Sequence, residues 1–245
     1  DDGFYLLVVK NLYGNESVYR IGISTSFGIT SSVTFADGQK IHYSKDYIGK
    51  LYSNNEIVID LLDESIKYSV TSNGNTYTGY QKKTENGIVY LVFSQEGKYE
   101  LRITDSYGNV LVKQLEINKS TYTVDDKLLT GYNEKALKRN EGYTNQKLSV
   151  DKTVFDGSGI YYLAVKYGDT LNVLVDAFSE TSVNADYEKF ANAIGSNGDG
   201  VYTVICRNRY GAVVTKDIHY RSTPTLKLER TTRSKSEAEI YDLDY

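Results

Sequence analysis

The chain has 245 residues, of which 40% are hydrophobic and 24% charged, and its net charge is −4. This composition excludes an intrinsically disordered chain, and the interspersed charges exclude a basic surface for nucleic acid. The single cysteine excludes an intramolecular disulfide, and no stretch approaches the roughly 18 consecutive apolar residues of a membrane span, so we expect no membrane insertion in this segment.

The first predicted element is a β-hairpin in DGFYLLVVKNLYGNESVYRIGI, which begins at Asp2. Nearly the same stretch returns as GKYELRITDSYGNVLVKQLEI from Gly97 and as DGVYTVICRNRYGAVVTKDIHY from Asp199. In each copy, inward apolar and outward polar residues alternate on both sides of a turn, which is typical of an antiparallel hairpin with one wet face. An Asp or Asn starts each turn, and a glycine with positive φ closes it; these turn glycines are Gly14, Gly108 and Gly211.

The spacing of the copies indicates repeated whole domains. Their first inward tyrosines, Tyr5, Tyr99 and Tyr202, are 94 and then 103 residues apart, which is far longer than the roughly 20–50 residues of solenoid repeats. A second element also returns, because YSNNEIVID from Tyr52 matches YTNQKLSVD from Tyr143. About seven short strands per hundred residues, separated by turn residues, are typical of a β-sandwich.

The repeated hairpin resembles a known family. Its pattern of Asp or Glu, Gly, x and Tyr, followed by an Asp/Asn-x-Tyr-Gly turn, is similar to strands F and G of bacterial immunoglobulin-like (Ig-like) surface repeat domains. The resemblance implies that Tyr5, Tyr99 and Tyr202 form tyrosine corners, in which the hydroxyl bonds to backbone at the end of the sandwich. The chain departs from antibody-type domains, because it has no cysteine pair and no core tryptophan.

These elements predict an all-β chain of tandem Ig-like antiparallel β-sandwiches in an extended array, since the predicted linkers are short. We expect two complete domains of about a hundred residues each, with an incomplete domain on either side of them. The predicted limits are 1–27 for the terminal hairpin of an incomplete domain, 28–120 and 121–222 for the complete domains, and 223–245 for the start of a further one.

Candidate chemical groups are sparse. Cys206 falls at an inward strand position, so it is expected to be a small buried apolar residue and not a nucleophile. His42 and His219 lack a third donor at metal-ligand spacing. The Gly-, Asp- and Asn-rich stretches fit ordinary turns and lack the twelve-residue calcium pattern. We therefore predict no catalytic residue, no metal site and no cofactor.

The tyrosines offer a candidate binding surface. Tyrosine provides a large contact area at low entropic cost, and the predicted third domain carries three of them close together in sequence. Tyrosine is also an ordinary strand residue, so a purely structural role stays open. The candidate surface consists of Tyr161, Tyr162 and Tyr167.

The sequence therefore favours a non-catalytic segment of a bacterial cell-surface or secreted protein, acting as a stalk, spacer or adhesin. The alternative is a glycan- or protein-binding module attached to a larger surface enzyme. The expected partners are a host protein or surface glycan and the neighbouring Ig-like domains, with no nucleic acid among them. The expected location is extracellular, on the cell surface or secreted.

Overall fold

The computed structural model describes residues 3–23, 25–130, 141–144, 149–179 and 192–222. The chain divides into two compact units, of which the first contains residues 1–122 with 208–212 and the second contains residues 123–207 with 213–245. The predicted domain limits stay predictions, and the segment 223–245 lies outside the described residues.

The first unit begins with a separate hairpin and continues with ten strands. The hairpin strands are β1 (Gly3–Lys10) and β2 (Glu16–Ile23). The strands that follow are β3 (Ile29–Thr34), β4 (Lys40–Tyr43), β5 (Leu51–Ser53), β6 (Glu56–Leu61), β7 (Lys67–Ser72), β8 (Asn75–Thr76), β9 (Gln81–Glu85), β10 (Ile88–Phe93), β11 (Gly97–Thr104) and β12 (Val110–Ile117).

The ten strands form two five-stranded sheets with the strand order of an Ig sandwich. One sheet has the order β4-β3-β6-β10-β9, and the other has the order β5-β12-β11-β7-β8. Strands β3, β6, β10 and β9 match A, B, E and D of the Ig fold, and β7, β11 and β12 match C, F and G. Strand β5 pairs in parallel with β12, whereas the other pairs are antiparallel. This topology confirms the predicted all-β class and the Ig-like sandwich.

The core of this sandwich lies between the two sheets. Every second residue of β6, β10 and β11 is buried, as the period of two in a strand requires. Phe93 of one sheet packs against Tyr99 of the other, with ring centroids 5.4 Å apart. Leu101, an inward residue of the repeated hairpin, is fully buried in this core.

The hairpin β1–β2 has the same alternation but is not covered in this way. Its strands pair in full register from Gly3↔Ile23 to Lys10↔Glu16. Leu7, which takes the place of Leu101 in this copy, is 51% exposed. The pattern of inward residues is therefore present here without the packing that buries it in the second copy.

The second unit repeats one sheet of this architecture. Its described strands are β13 (Leu129–Thr130), β14 (Glu141–Thr144), β15 (Ser149–Val150), β16 (Ile160–Tyr167), β17 (Thr170–Asp176), β18 (Gly200–Asn208) and β19 (Val213–Tyr220). The repeated sheet has the order β14-β19-β18-β16-β17, with β14 parallel to β19, just as β5 is parallel to β12. Strands β13 and β15 form a two-stranded sheet of their own.

The described residues of the second unit include a 3-10 helix at Asp126–Leu128 and a short helix, α1, at Lys152–Gly157. The side chain of Asp151 caps α1 by accepting a hydrogen bond from Val154 N at 3.0 Å. The helix buries Phe155 in the core of the unit. Sequence analysis did not predict α1, because a six-residue helix is too short to show a helical period.

The turns of the three hairpins share one bonding pattern. In each, the side-chain oxygen of an Asp or Asn accepts hydrogen bonds from the backbone N–H groups two and four residues later, at 2.9–3.0 Å. The glycine that follows the turn tyrosine has a φ between +82° and +89°, which other residues rarely adopt. The residues that accept these bonds are Asn11, Asp105 and Asn208.

Replacing Asp105 by alanine is expected to cost about 1.5 kcal/mol of stability, because two backbone N–H groups and the Asn109 side chain lose their acceptor. Asp105→Asn is the matched control, since asparagine fills this place in the other two turns. Burial raises the pKa of Asp105, but hydrogen bonds from Asn109 and the turn backbone outweigh it and lower the pKa overall.

The pH dependence of the same residue gives a second readout. A lowered folded pKa means that the contribution of Asp105 is present above the unfolded value of about 3.9 and is lost as pH falls through the folded value. Denaturant unfolding at pH 7 and at pH 3 should show part of the acid sensitivity missing in Asp105→Asn. Equal stability of wild type and Asp105→Ala at pH 7 would contradict this role.

Candidate functional site

Two of the three repeated tyrosines close the end of a sheet. The hydroxyl of Tyr99 donates a hydrogen bond to the carbonyl oxygen of Gln95 at 2.8 Å. The hydroxyl of Tyr202 donates to the carbonyl oxygen of Gly198 at 2.7 Å and accepts from the N–H of Asn197 at 3.1 Å. In both, the acceptor lies four residues upstream, which is the bonding of a tyrosine corner. Burial raises the pKa of both phenols.

The third repeated tyrosine is placed differently. Tyr5 is 44% exposed on the hairpin β1–β2. Its alternation with Leu7 is the same as that of Tyr99 with Leu101, but its side chain is not enclosed as Tyr99 is. The hairpin sequence alone therefore does not bury this tyrosine.

The structure does not bring Tyr161, Tyr162 and Tyr167 together as one surface. All three are half-buried. Tyr161 packs against Phe178, with ring centroids 5.6 Å apart, whereas Tyr167 lies 4.5 Å from the ring of Tyr202. Six residues along a strand separate Tyr161 from Tyr167 by about 20 Å.

Each member of this tyrosine set has contacts within its own unit. The hydroxyl of Tyr167 donates to the carbonyl oxygen of Asp199 at 3.1 Å. Burial and the nearby Asp176 carboxylate raise the pKa of Tyr162. These contacts give Tyr161 and Tyr167 structural roles. Tyr162 points to the other side of the strand from Tyr161, because successive side chains alternate.

The thiol of Cys206 is buried in β18. Burial raises the pKa of this thiol to about 12, so very little thiolate forms near neutral pH. We expect iodoacetamide at pH 8 to leave the folded protein unlabelled and to label it fully in denaturant, as read by mass spectrometry. Rapid labelling of the native protein would show that Cys206 is accessible.

The described residues contain neither a cluster of metal ligands nor a helix that could span a membrane. In that part of the chain, no three His, Cys, Asp or Glu side chains gather as metal ligands. No helix among them has the length and hydrophobicity of a transmembrane span.

Lys113 is an unexpected residue in the core of the first sandwich. It occupies an inward position of β12, opposite Leu101, and only 1% of it is exposed. Its ammonium group donates a hydrogen bond to the carbonyl oxygen of Tyr47 and lies 5.2 Å from the centre of the Tyr47 ring. A buried charge of this kind needs such partners, because desolvation is costly. The alternation placed this lysine inward, but sequence analysis did not identify it.

A concave feature of the first unit is a groove on the outer face of the sheet β5-β12-β11-β7-β8. It has a volume of about 370 Å³. Tyr99 and Leu115 are buried on the inner face of the sheet. Because side chains alternate along a strand, their neighbours in sequence point outward into the groove. The polar residues that line it from four strands and adjoining loops include Tyr52, Thr71, Lys98, Glu100, Gln114 and Glu116.

The pairing register arranges these side chains in two rows across the sheet. In one row, Glu100 of β11 lies between Thr71 of β7 and Gln114 of β12. In the other row, Lys98 of β11 pairs with Glu116 of β12, with Lys98 Nζ 3.6 Å from Glu116 Oε1. Neighbouring strands lie roughly 4.8 Å apart, so each row places polar groups at that interval.

This groove was not predicted from the sequence, although one signal was available. The outward residues of the second hairpin, Lys98 and Glu100, stand where the first hairpin has Phe4 and Leu6. A comparison of the outward faces of the copies would have marked the second copy as unusually polar. The contribution of Thr71 could not be read in this way, because it depends on the pairing of β7 with β11.

Comparison with known proteins identifies no family for this chain. No protein-family model matches it, and no curated protein matches it. Solved structures with weak similarity include the Bacteroides ovatus mixed-linkage glucan utilization locus protein SGBP-B in complex with a mixed-linkage heptasaccharide, at 12% identity and a TM-score of 0.24. That match covers 97% of this chain and 59% of the other, so the chain spans less than two thirds of that protein's length.

Two further solved structures contain Ig repeats. The tandem Ig repeats of Dlar match at 10% identity and a TM-score of 0.24, covering 70% of this chain and 92% of that one. The eight N-terminal Ig domains of the Down Syndrome Cell Adhesion Molecule match at 12% identity and a TM-score of 0.22, covering 90% and 28%. Scores this low carry no argument about function, so the Ig-like assignment depends on strand order, register and burial.

Proposed function

We propose that this chain is a non-catalytic segment of a bacterial cell-surface or secreted protein, in which Ig-like sandwiches act as a spacer or adhesin. The observation that supports this most is the hairpin that occurs three times with identical turn bonding, twice with its tyrosine hydroxyl bonded to backbone. Repeated domains with their own cores extend a protein without requiring any catalytic group.

Small-angle X-ray scattering of the chain tests the spacer role. A single compact globule of this length has a radius of gyration of about 18 Å. A spacer of domains in series should give a clearly larger value and a distance distribution with a long tail. A value near that of one globule would reject the spacer, and a urea-unfolded sample measured in parallel identifies the value for an unfolded chain.

The proposed location is tested separately. Proteolysis of intact cells of the source organism, followed by detection with an antibody to this chain, should remove the signal while a cytosolic marker survives. Detection only in culture medium would assign the secreted form. Protection in intact cells and release only on lysis would contradict an extracellular location.

The alternative function is a glycan- or protein-binding module attached to a larger surface enzyme. The polar groove on β5-β12-β11-β7-β8 favours it, since binding sites for small molecules are concave and carry convergent polar groups. A glycan array and a pull-down with the chain as bait separate the two kinds of ligand. If neither a glycan nor a protein is retained, the binding-module alternative is rejected and the spacer role remains.

A further inference from the structure

We propose that the groove on the outer face of β5-β12-β11-β7-β8 binds a short, uncharged oligosaccharide. The proposal deepens the glycan-binding alternative and does not depend on the spacer role. Its volume of about 370 Å³ lies within the roughly 300–1,000 Å³ of small-molecule sites. The size therefore fits a short oligosaccharide and not a folded protein.

The charges around the groove favour an uncharged ligand. The charged lining residues are Lys50, Lys98, Glu100 and Glu116, so the lining carries two positive and two negative groups. A phosphate or an acidic polymer would be attracted by the lysines and repelled by the glutamates, and a basic ligand would meet the reverse. A ligand with many polar groups and no net charge avoids both conflicts, and carbohydrates have this chemistry.

The hydrogen-bonding groups of the groove match sugar hydroxyls. Along one row, Thr71 can donate and accept, Glu100 accepts, and Gln114 donates and accepts. Within the part of the chain that the structure describes, no hydrogen bond or ion pair occupies the side chains of these three residues. A pyranose ring carries hydroxyls that both donate and accept, so it can bond to neighbouring members of the row at once.

Tyr52 lines the groove near the other row. An aromatic ring provides apolar area for the C–H face of a sugar, while its hydroxyl remains available to polar groups. Polar contacts from Glu100 and Gln114 would fix the orientation of the sugar ring. Tyr52 would add apolar contact beside Tyr210, whose ring centroid lies 5.7 Å from that of Tyr52, and Arg209, whose guanidinium lies 5.5 Å from the centre of the Tyr52 ring.

A peptide that adds as a strand is disfavoured by the position of the groove. The lining strands β11 and β12 are interior to the sheet, and their backbone groups pair with β7, β5 and each other. Strand addition needs an exposed edge, whereas this groove lies on a face.

The Lys and Glu on the outer face of the first strand are specific to this copy of the hairpin, whereas the third copy has Thr203 and Asp217, bonded to each other at 2.7 Å, in place of Glu100 and Gln114. The place of Glu100 is taken by Leu6 in the first copy and by Thr203 in the third, and the place of Lys98 by Phe4 and by Val201. The fold therefore does not require a Lys and Glu pair at these outward positions. This Lys and Glu pair occurs in one copy only, and a ligand site would explain why it is there.

The test is isothermal titration calorimetry of the whole chain against a panel of neutral tetrasaccharides, with β-glucan, xylan, mannan, starch and chitin linkages. Oligogalacturonate and a basic peptide form the charged arms. We expect at least one neutral member to bind with a dissociation constant of millimolar or tighter. Binding only in a charged arm, or no binding to any neutral member, would overturn the proposal.

Variants locate the binding. Glu100→Ala combined with Gln114→Ala should weaken the affinity for the bound sugar by tenfold or more. Arg102→Ala is the matched control, because Arg102 is also exposed on the outer face of β11 but does not line the groove. Equal affinity of the double variant and wild type would place binding elsewhere and overturn the proposal.

A thermal melt shows whether the double variant is folded, because its melting temperature should equal that of wild type. If it does not, the near-isosteric Glu100→Gln with Gln114→Glu replaces it, with the same expectation of weakened binding. Scattering that rejects the spacer would leave these results unaffected, so the two proposals fail separately.

Discussion

Replacing Leu101 by alanine should destabilise the first sandwich by about 3 kcal/mol, because the side chain is fully buried between two sheets and its removal leaves a cavity. For a domain of this size, the loss should lower the midpoint of its thermal transition by more than about 10 °C. Differential scanning calorimetry measures this shift directly.

Leu7→Ala is the matched control for this change. Leu7 has the same place in the first hairpin, but it is 51% exposed, so its replacement should change stability by less than about 0.5 kcal/mol. If each unit unfolds independently, Leu101→Ala should move one transition and leave the other in place. Equal effects of the two substitutions, or a shift of every transition, would contradict separate cores.

Replacing Tyr202 by phenylalanine should destabilise the second unit by about 2 kcal/mol. The ring is fully buried, and its hydroxyl bonds to both Gly198 O and Asn197 N. Removing the hydroxyl breaks both hydrogen bonds at once, and each is worth about 1 kcal/mol. The ring remains, so packing is preserved and the loss reports the polar contacts.

The same substitution at two further tyrosines should cause smaller losses of stability. Tyr99→Phe should cost about 1 kcal/mol, since its hydroxyl bonds to the backbone at Gln95 O, whereas that of Tyr202 has two backbone partners. Tyr5→Phe should cost less, because Tyr5 is 44% exposed and water can replace part of its contacts. Urea unfolding followed by far-ultraviolet circular dichroism ranks the three, and a reversed order would contradict the corner role of Tyr202.

The parts of this fold that could be predicted are those that depend on neighbours in sequence. The alternation from Tyr99 to Ile103 predicted an inward face, and Leu101 and Val204 are buried as expected. The three turns could be predicted because an Asp or Asn and a glycine fix their own backbone within five residues. The fold class follows from these local patterns repeated at domain spacing.

The candidate site could not be predicted in the same way. Thr71 and Glu100 are neighbours only because β7 pairs with β11, and Glu100 meets Gln114 only through the register of the second hairpin. Tyr161, Tyr162 and Tyr167 are close in sequence but do not form one surface. Tyr161 and Tyr162 point to opposite faces of the sheet, because side chains alternate along a strand, and Tyr167 lies about 20 Å along the strand from Tyr161.

Local sequence patterns specify the strands, the turns and the Ig-like class of this chain, because period and turn chemistry act over a few residues. Which inward faces are covered depends on tertiary packing. Leu7 and Leu101 have the same local pattern, yet one is half exposed and the other fully buried. Burial requires a second layer from strands distant in sequence, and a hairpin cannot provide that layer for itself.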